Sequence, residues 1–329
     1  MNNNEYQQIL ELLKSMNRLD LITKQLSDRS FDEVKNILTM PEWKESKFKH
    51  LLTSNIWKIS YEDIKKILSL KEWEDDKFKG LLTSTIWNNN YEEIKNILKI
   101  PYFKEDKYKD LLTSNIWQSN SKNIKQILSM PEWNNPKFKG LLTSTIWNSN
   151  YEEIKKILSM KEWDDDKFKH LLTASIWQST SSDIKQILEM KEWNNPKFKH
   201  LLTSNIWSNK PGTITSKFNL DCFKDDKYLH LLNPSIFSIS SKNIINGIEL
   251  LKEYGIDQYI TNKCLRFKTK FLKNLLDYLT ENNIDLVTYN EKIANYSLNP
   301  ILNTAKCQLK KRYNIDVHLI EKGSFNKSK

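Results

Sequence analysis

Residues 51–57, LLTSNIW, return as LLTSTIW at 81–87, LLTSNIW at 111–117, LLTSTIW at 141–147, LLTASIW at 171–177 and LLTSNIW at 201–207, with LLNPSIF at 231–237 as a weaker echo. Each copy begins 30 residues after the one before it. A period of this size constrains the fold more than the length of 329 residues does. One such unit cannot bury its apolar face alone, whereas a stack of units can. The chain therefore reads as all-α, an α-solenoid of 30-residue helical repeats, and not as two ordinary domains. Six glycines and eight prolines are few for this length, which agrees with helices and argues against propellers and turn-rich sandwiches.

Residues 148–177, NSNYEEIKKILSMKEWDDDKFKHLLTASIW, serve as the type unit. Ile154, Ile157, Leu158 and Met160 fall near an i, i+3, i+4 stripe. Asn150 precedes them as an N-cap, and Glu152 and Glu153 stand where the helix dipole favours anions. The pattern predicts a first helix over about 150–161 and, after the Asp164–Asp166 cap, a second over about 166–173 carrying Phe168, Leu171 and Leu172. Other units write this cap as Asn134-Asn135-Pro136 and Asn194-Asn195-Pro196, with proline suited to the first helical position. Ala174–Trp177 leaves room only for a short 3₁₀ turn. Each unit is thus expected to hold two helices plus one 3₁₀ turn. Trp57, Trp87, Trp117, Trp147, Trp177 and Trp207, and the second series Trp43, Trp73, Trp133, Trp163 and Trp193 (Phe103 in one unit), read as packing anchors in preference to base-stacking residues.

Residues 1–27 carry Ile9, Leu12, Leu13, Met16, Leu19 and Ile22 at helical spacing and form an expected N-terminal helical cap. Six near-identical units span 28–207. Residues 208–237 are a degenerate unit in which Pro211-Gly212 is expected to break the first helix and make a joint. Residues 238–317 hold diverged helical units and a C-terminal cap, and 318–329 a tail. Three scattered cysteines, Cys222, Cys264 and Cys307, have no disulfide or metal spacing. The N-terminus MNNNEYQQIL lacks the features of a signal peptide, and no apolar run reaches membrane-spanning length. Neither a phosphate-binding glycine loop nor GxSxG nor HExxH is present. The expectation is an intracellular, cytoplasmic, monomeric binding protein without catalytic residues, metal or cofactor.

The net charge of +10 is unevenly placed: residues 238–329 hold 15 basic and 9 acidic side chains, and residues 28–237 hold 33 and 29. A nucleic-acid reading must therefore rest on arrangement and not on bulk charge. Two lysines flank the aromatic residue of the second helix in every close copy, namely Lys47 and Lys49, Lys77 and Lys79, Lys107 and Lys109, Lys137 and Lys139, Lys167 and Lys169, and Lys197 and Lys199. Stacking turns each series into a stripe suited to phosphates. A solvated face whose charges balance the acidic caps is the competing account. Two positions vary while their neighbours hold. One precedes the leucine pair: His50, Gly80, Asp110, Gly140, His170, His200 and His230. The other lies in the connector: Asn55, Thr85, Asn115, Thr145, Ser175, Asn205 and Ser235. Small polar residues suit base edges, which makes both series candidate specificity positions, with drift at exposed sites as the alternative. Equivalent histidines in a stack lie along a line and do not converge as a zinc site requires.

LLNPSIF at 231–237 followed by NIINGIELLKEYGI at 243–256, and SLNPILNTAKCQLKKRYNID at 297–316, resemble repeats of the mitochondrial transcription termination factor (mTERF) family. The close copies depart from that motif, with Thr-Ser in place of Asn-Pro and Trp-rich endings in place of Gly-Ile. The resemblance implies a right-handed solenoid whose concave basic side holds a nucleic-acid duplex. The leading expectation is double-stranded DNA held by the lysine series, with a basic clamp at 263–312 that includes Lys268, Lys270, Lys310, Lys311 and Arg312. A peptide- or protein-binding scaffold is the alternative, and a structural or variable array the third.

Overall fold

The computed structural model describes residues 3–257, 260, 262, 264–266 and 268–281. Among them the secondary structure is helical, with no strand. The helices longer than one turn are α1 (Asn3–Ser15), α2 (Phe31–Leu38), α3 (Tyr61–Leu68), α5 (Tyr91–Leu98), α6 (Ser121–Leu128), α8 (Tyr151–Leu158), α10 (Ser181–Leu188), α12 (Pro211–Phe218), α13 (Ser241–Glu253) and α14 (Thr269–Glu281). Single α-turns intervene as α4 (Asp76–Lys79), α7 (Pro136–Lys139), α9 (Asp166–Lys169) and α11 (Pro196–Lys199). The chain divides into two compact units, Met1–Ser181 and Ser182–Lys329.

The type unit shows how the sequence sets these boundaries. Asn150 Oδ1 accepts from the Glu153 amide at 2.9 Å and starts α8. The helix ends at Leu158, short of the expected 161, because Trp163 intervenes. Its indole N–H donates to the Ile157 carbonyl at 2.6 Å, the acceptor that a further turn of α-helix would have used. Trp163 then sits on its own 3₁₀ turn, Lys161–Asp164. Proline occupies the residue-161 position in three other units, at Pro41, Pro101 and Pro131, where no amide is required. Asp165 caps α9, which is one turn long and not the expected 166–173. In three units the same stretch is 3₁₀, at Lys49–Leu51, Asp106–Leu111 and Asp226–Leu231. The connector Ala174–Gln178 is the expected 3₁₀ turn. A unit therefore holds four short helical segments in place of two helices and a turn.

In the first compact unit α2, α3, α5, α6 and α8 pack against one another in chain order, and so do the connectors. The indole of each connector tryptophan donates to a leucine carbonyl 36 residues earlier: Trp57 to Leu21, Trp87 to Leu51, Trp117 to Leu81, Trp147 to Leu111 and Trp177 to Leu141. Ile154, Ile157, Trp163 and Leu171 are fully buried, and their counterparts in neighbouring units are buried too, with Trp133 at 8% exposure. Both tryptophan series are core, as the sequence suggested.

Two expectations about the ends of the array are corrected. Helix α1 stops at Ser15, and Asn17 adopts a left-handed φ of 55° that lets the Arg18 amide reach back to the Leu13 carbonyl at 2.8 Å. Met16, Leu19 and Ile22 are consequently exposed and do not extend the apolar stripe. Residues 208–237 keep their first helix: α12 begins at Pro211, which serves as the first helical residue and not as a breaker. Within this second compact unit Phe218 packs edge-on to Trp193, with ring centroids 5.1 Å apart.

Candidate nucleic-acid interface

The two lysine series have different surroundings. The first bends over its neighbouring ring: Lys47 Nζ lies 4.9 Å from the Phe48 centroid, Lys77 4.8 Å from Phe78, Lys107 4.6 Å from Tyr108, Lys137 5.5 Å from Phe138 and Lys167 4.7 Å from Phe168. Each also finds an acidic partner. Lys47 reaches Glu74 at 2.6 Å and Lys137 reaches Asp164 at 2.9 Å, both in the following unit. Lys77, Lys107 and Lys167 pair with Asp75, Glu105 and Asp165 of their own caps at 2.9, 3.0 and 3.3 Å. Lys197 donates to the Phe223 carbonyl at 2.7 Å. The Glu74 carboxylate raises the Lys47 ammonium above its ordinary range, and Glu105 does the same for Lys107. These groups are already engaged by the chain.

The second series points outward. Lys49, Lys109, Lys139 and Lys199 are exposed and carry no ion pair among the described residues. Lys79 and Lys169 pair with Asp76 and Asp166, three residues earlier, whose side chains are 89% and 88% exposed. Pairs this open to solvent contribute little and exchange readily for another anion. In the first compact unit Lys49, Lys79, Lys109, Lys139 and Lys169 thus occupy one position of consecutively packed segments. The 118–147 repeat is the most basic, with Lys122, Lys125, Lys137 and Lys139 against Glu132 alone. Lys268 and Lys270 are exposed at the start of α14. Lys310, Lys311 and Arg312 lie outside the described residues.

The candidate specificity positions are partly occupied within the chain. His50 Nε2 donates to the Leu82 carbonyl at 2.6 Å, His200 to Leu232 at 2.5 Å and His230 to Ile260 at 2.7 Å. These rings latch one segment to the next through Nε2, although each histidine keeps exposed surface. His170 is also engaged. Gly80, Gly140 and Asp110 supply no such donor. In the connector, Thr85 pairs with Thr83 and Thr145 with Thr143, at 2.7 and 2.9 Å between hydroxyls, and Ser175 pairs with Thr173 at 2.8 Å. Ser235 donates to Asn233 at 2.6 Å. Where asparagine stands instead, at Asn55, Asn115 and Asn205, the preceding Thr53, Thr113 and Thr203 hydroxyls are buried without a partner.

Sequence reasoning missed the role of residues 18–27. Set 30 residues before LLTSNIW, the stretch LITKQLS at 21–27 is a worn copy of it. Leu21 and Leu26 are buried, Thr23 is extended like Thr53, and Lys24–Asp28 forms the matching 3₁₀ turn. Arg18 Nη2 meets the Leu52 carbonyl at 2.5 Å, as His50 meets Leu82. Alignment in register with the period was the available signal.

Cys222 is a free, half-buried thiol whose pKa burial pushes up. Among the described residues no cluster of three His, Cys, Asp or Glu side chains could hold a metal ion, and no helix is long and apolar enough to cross a membrane. No family model, no curated protein and no solved structure matches the chain.

Proposed function

We propose that the chain is a non-enzymatic α-solenoid that binds nucleic acid through lysines repeated at 30-residue intervals. The observation that carries this reading is the exposed series Lys49, Lys79, Lys109, Lys139 and Lys169 on consecutively packed segments. Ammonium groups so arranged meet a polyphosphate backbone at regular steps, and each phosphate contact releases condensed counterions. The right hand of the superhelix and the duplex in its concave side come from the mTERF resemblance, the clamp at 263–312 from the basic residues of that stretch, and all three belong to this proposal.

Fluorescence anisotropy with duplex and single-stranded oligonucleotides across a salt series tests the reading. Binding that weakens linearly in log–log form, with a slope reduced by Lys49→Ala, Lys109→Ala and Lys139→Ala together, is expected. Absence of retention of any oligonucleotide at low salt would overturn it. The second reading, a protein- or peptide-binding scaffold, is favoured by one observation. Residues 28–117 hold as many acidic as basic side chains, and the Lys47 series is paired internally.

A further inference from the structure

The histidine latches expose a pattern in what they leave uncovered. Where the next segment carries the leucine pair, the acceptor is the carbonyl of its second residue: Leu52 receives Arg18, Leu82 receives His50, and Leu232 receives His200, while His230 reaches Ile260 beyond the last pair. The next three positions in the first compact unit break the series. Gly80, Asp110 and Gly140 offer no donor, and the carbonyls of Leu112, Leu142 and Leu172 accept no hydrogen bond among the described residues. Burial marks the same three. Leu52, Leu82 and Leu232 are buried at 7%, 5% and 3% exposure, whereas Leu112, Leu142 and Leu172 are only half-buried. A Cβ built on Gly80 or Gly140 meets nothing within 4 Å. The central segments thus present three successive backbone acceptors, those at Leu112 and Leu172 opposite glycines with open space at the Cβ and that at Leu142 opposite Asp110. A main-chain carbonyl needs a donor, and where the chain supplies none an external one fits.

The lysine row fixes the chemistry of that donor. His50 follows Lys49, and its ring alone spans the gap to the Leu82 carbonyl, so the open carbonyls lie about one imidazole side chain from the backbone of positions 80, 110 and 140, each next in sequence to Lys79, Lys109 or Lys139. A cationic donor is disfavoured beside ammonium groups, and Asp110, the one carboxylate at these three positions, lies next in sequence to Lys109. A ligand combining anionic charge with neutral N–H donors is favoured. Resting on the nucleic-acid reading above, we infer that the Leu112, Leu142 and Leu172 carbonyls accept from the exocyclic amino groups of a single strand whose phosphates lie along Lys79, Lys109 and Lys139. Cytosine and adenine project such an amino group from the base edge. Uracil and thymine carry instead a recessed N3–H between two carbonyls that repel an approaching carbonyl oxygen. Single strands splay their base edges outward, as this contact requires. Preference at the central segments comes from the absence of a side chain, and the varied residues elsewhere serve to close the same acceptor.

Oligocytidine and oligouridine of equal length, compared at mildly alkaline pH, differ at this edge and share a backbone. The wild-type chain is expected to bind oligocytidine at least about tenfold more tightly, from neutral hydrogen bonds of roughly 0.5–1.5 kcal/mol each. The double variant Gly80→His/Gly140→His supplies the missing latches. Both glycines have helical backbone angles, φ −66° and ψ −13° at Gly80 and φ −71° and ψ −10° at Gly140, and histidine stands at the same place in other segments. This variant is expected to melt higher, to lose most of the preference and to keep its oligouridine affinity and salt slope. Salt-dependent binding of both strands with equal affinity overturns the inference and leaves the broader reading intact. A preference that survives unchanged in the double variant overturns it as well. Failure to bind either strand overturns the inference as well, and the broader reading then stands or falls with the duplex titration.

Discussion

The indole N–H of Trp87 donates to the carbonyl of Leu51 at 2.7 Å, from a side chain with no exposed surface. The bond joins two 30-residue segments across 36 residues of chain and satisfies a carbonyl that water cannot reach. Trp87→Phe keeps most of the apolar volume and removes that bond, leaving the Leu51 carbonyl with the Thr53 amide at 2.8 Å alone. Its expected cost is about 0.5–1.5 kcal/mol, read as a lower urea midpoint. An unchanged midpoint would show that the indole contributes by volume alone.

Lys137 and Lys139 flank the same Phe138, yet only Lys137 is tied down, by Asp164 at 2.9 Å. Lys139→Ala is expected to reduce the salt slope of nucleic-acid binding by roughly 0.7–0.9, the value of one phosphate contact. Lys137→Ala should leave that slope nearly unchanged. Equal effects from the two would mean that the ion pair opens on binding.

Lys217 stands where the other segments place Ile37, Ile67, Ile97, Ile127, Ile157 and Ile187. It is 2% exposed, donates to the Ile239 carbonyl and to Ser241 Oγ at 3.1 Å, and burial lowers its pKa from 10.5. Below the folded pKa both states hold the proton and the cost of burying the charge is present in full. Between the folded value and 10.5 the unfolded chain binds more protons, so stability rises with pH. Denaturation midpoints of wild type and Lys217→Met, followed into alkali, should shift in favour of wild type through that window. Parallel curves would refute a buried ammonium.

Asp257 accepts from Lys227 Nζ at 2.6 Å and from the Tyr228 hydroxyl. Burial raises its pKa, but the Lys227 and Tyr228 hydrogen bonds together outweigh burial and the net shift is below 3.8. A depressed carboxyl stabilises the fold above its unfolded pKa, and that contribution disappears as pH falls through the folded value. Asp257→Asn should therefore lower the melting temperature at neutral pH, and the gap to wild type should close in acid below 3.8. A gap that persists in acid would assign the effect to packing.

What the sequence revealed is whatever recurs locally. The caps at Asn150 and Asp165, the apolar faces and the burial of Trp163 and Trp177 follow from spacing within a single unit. The ends of the helices did not, because α8 stops where the Trp163 indole takes the Ile157 carbonyl, a contact made by a side chain outside the helix. The start of α12 was misread because proline ends a helix or begins one, depending on register. The histidine latch was invisible for a different reason. His50 and Leu82 are 32 residues apart, so only the packed segments reveal that an exposed, variable position reaches across to a neighbour. The lysines divided on a related ground: the sequence supplied twelve equivalent candidates, and acidic residues of the same segment or the next separated the engaged from the open.

The constant offset between each connector indole and its leucine acceptor makes the segments interchangeable. Excising residues 58–87 would hand Trp117 the carbonyl of Leu51 in place of that of Leu81, with the same donor, acceptor and geometry. Recombination between the near-identical stretches can therefore lengthen or shorten the molecule without an intermediate that fails to close.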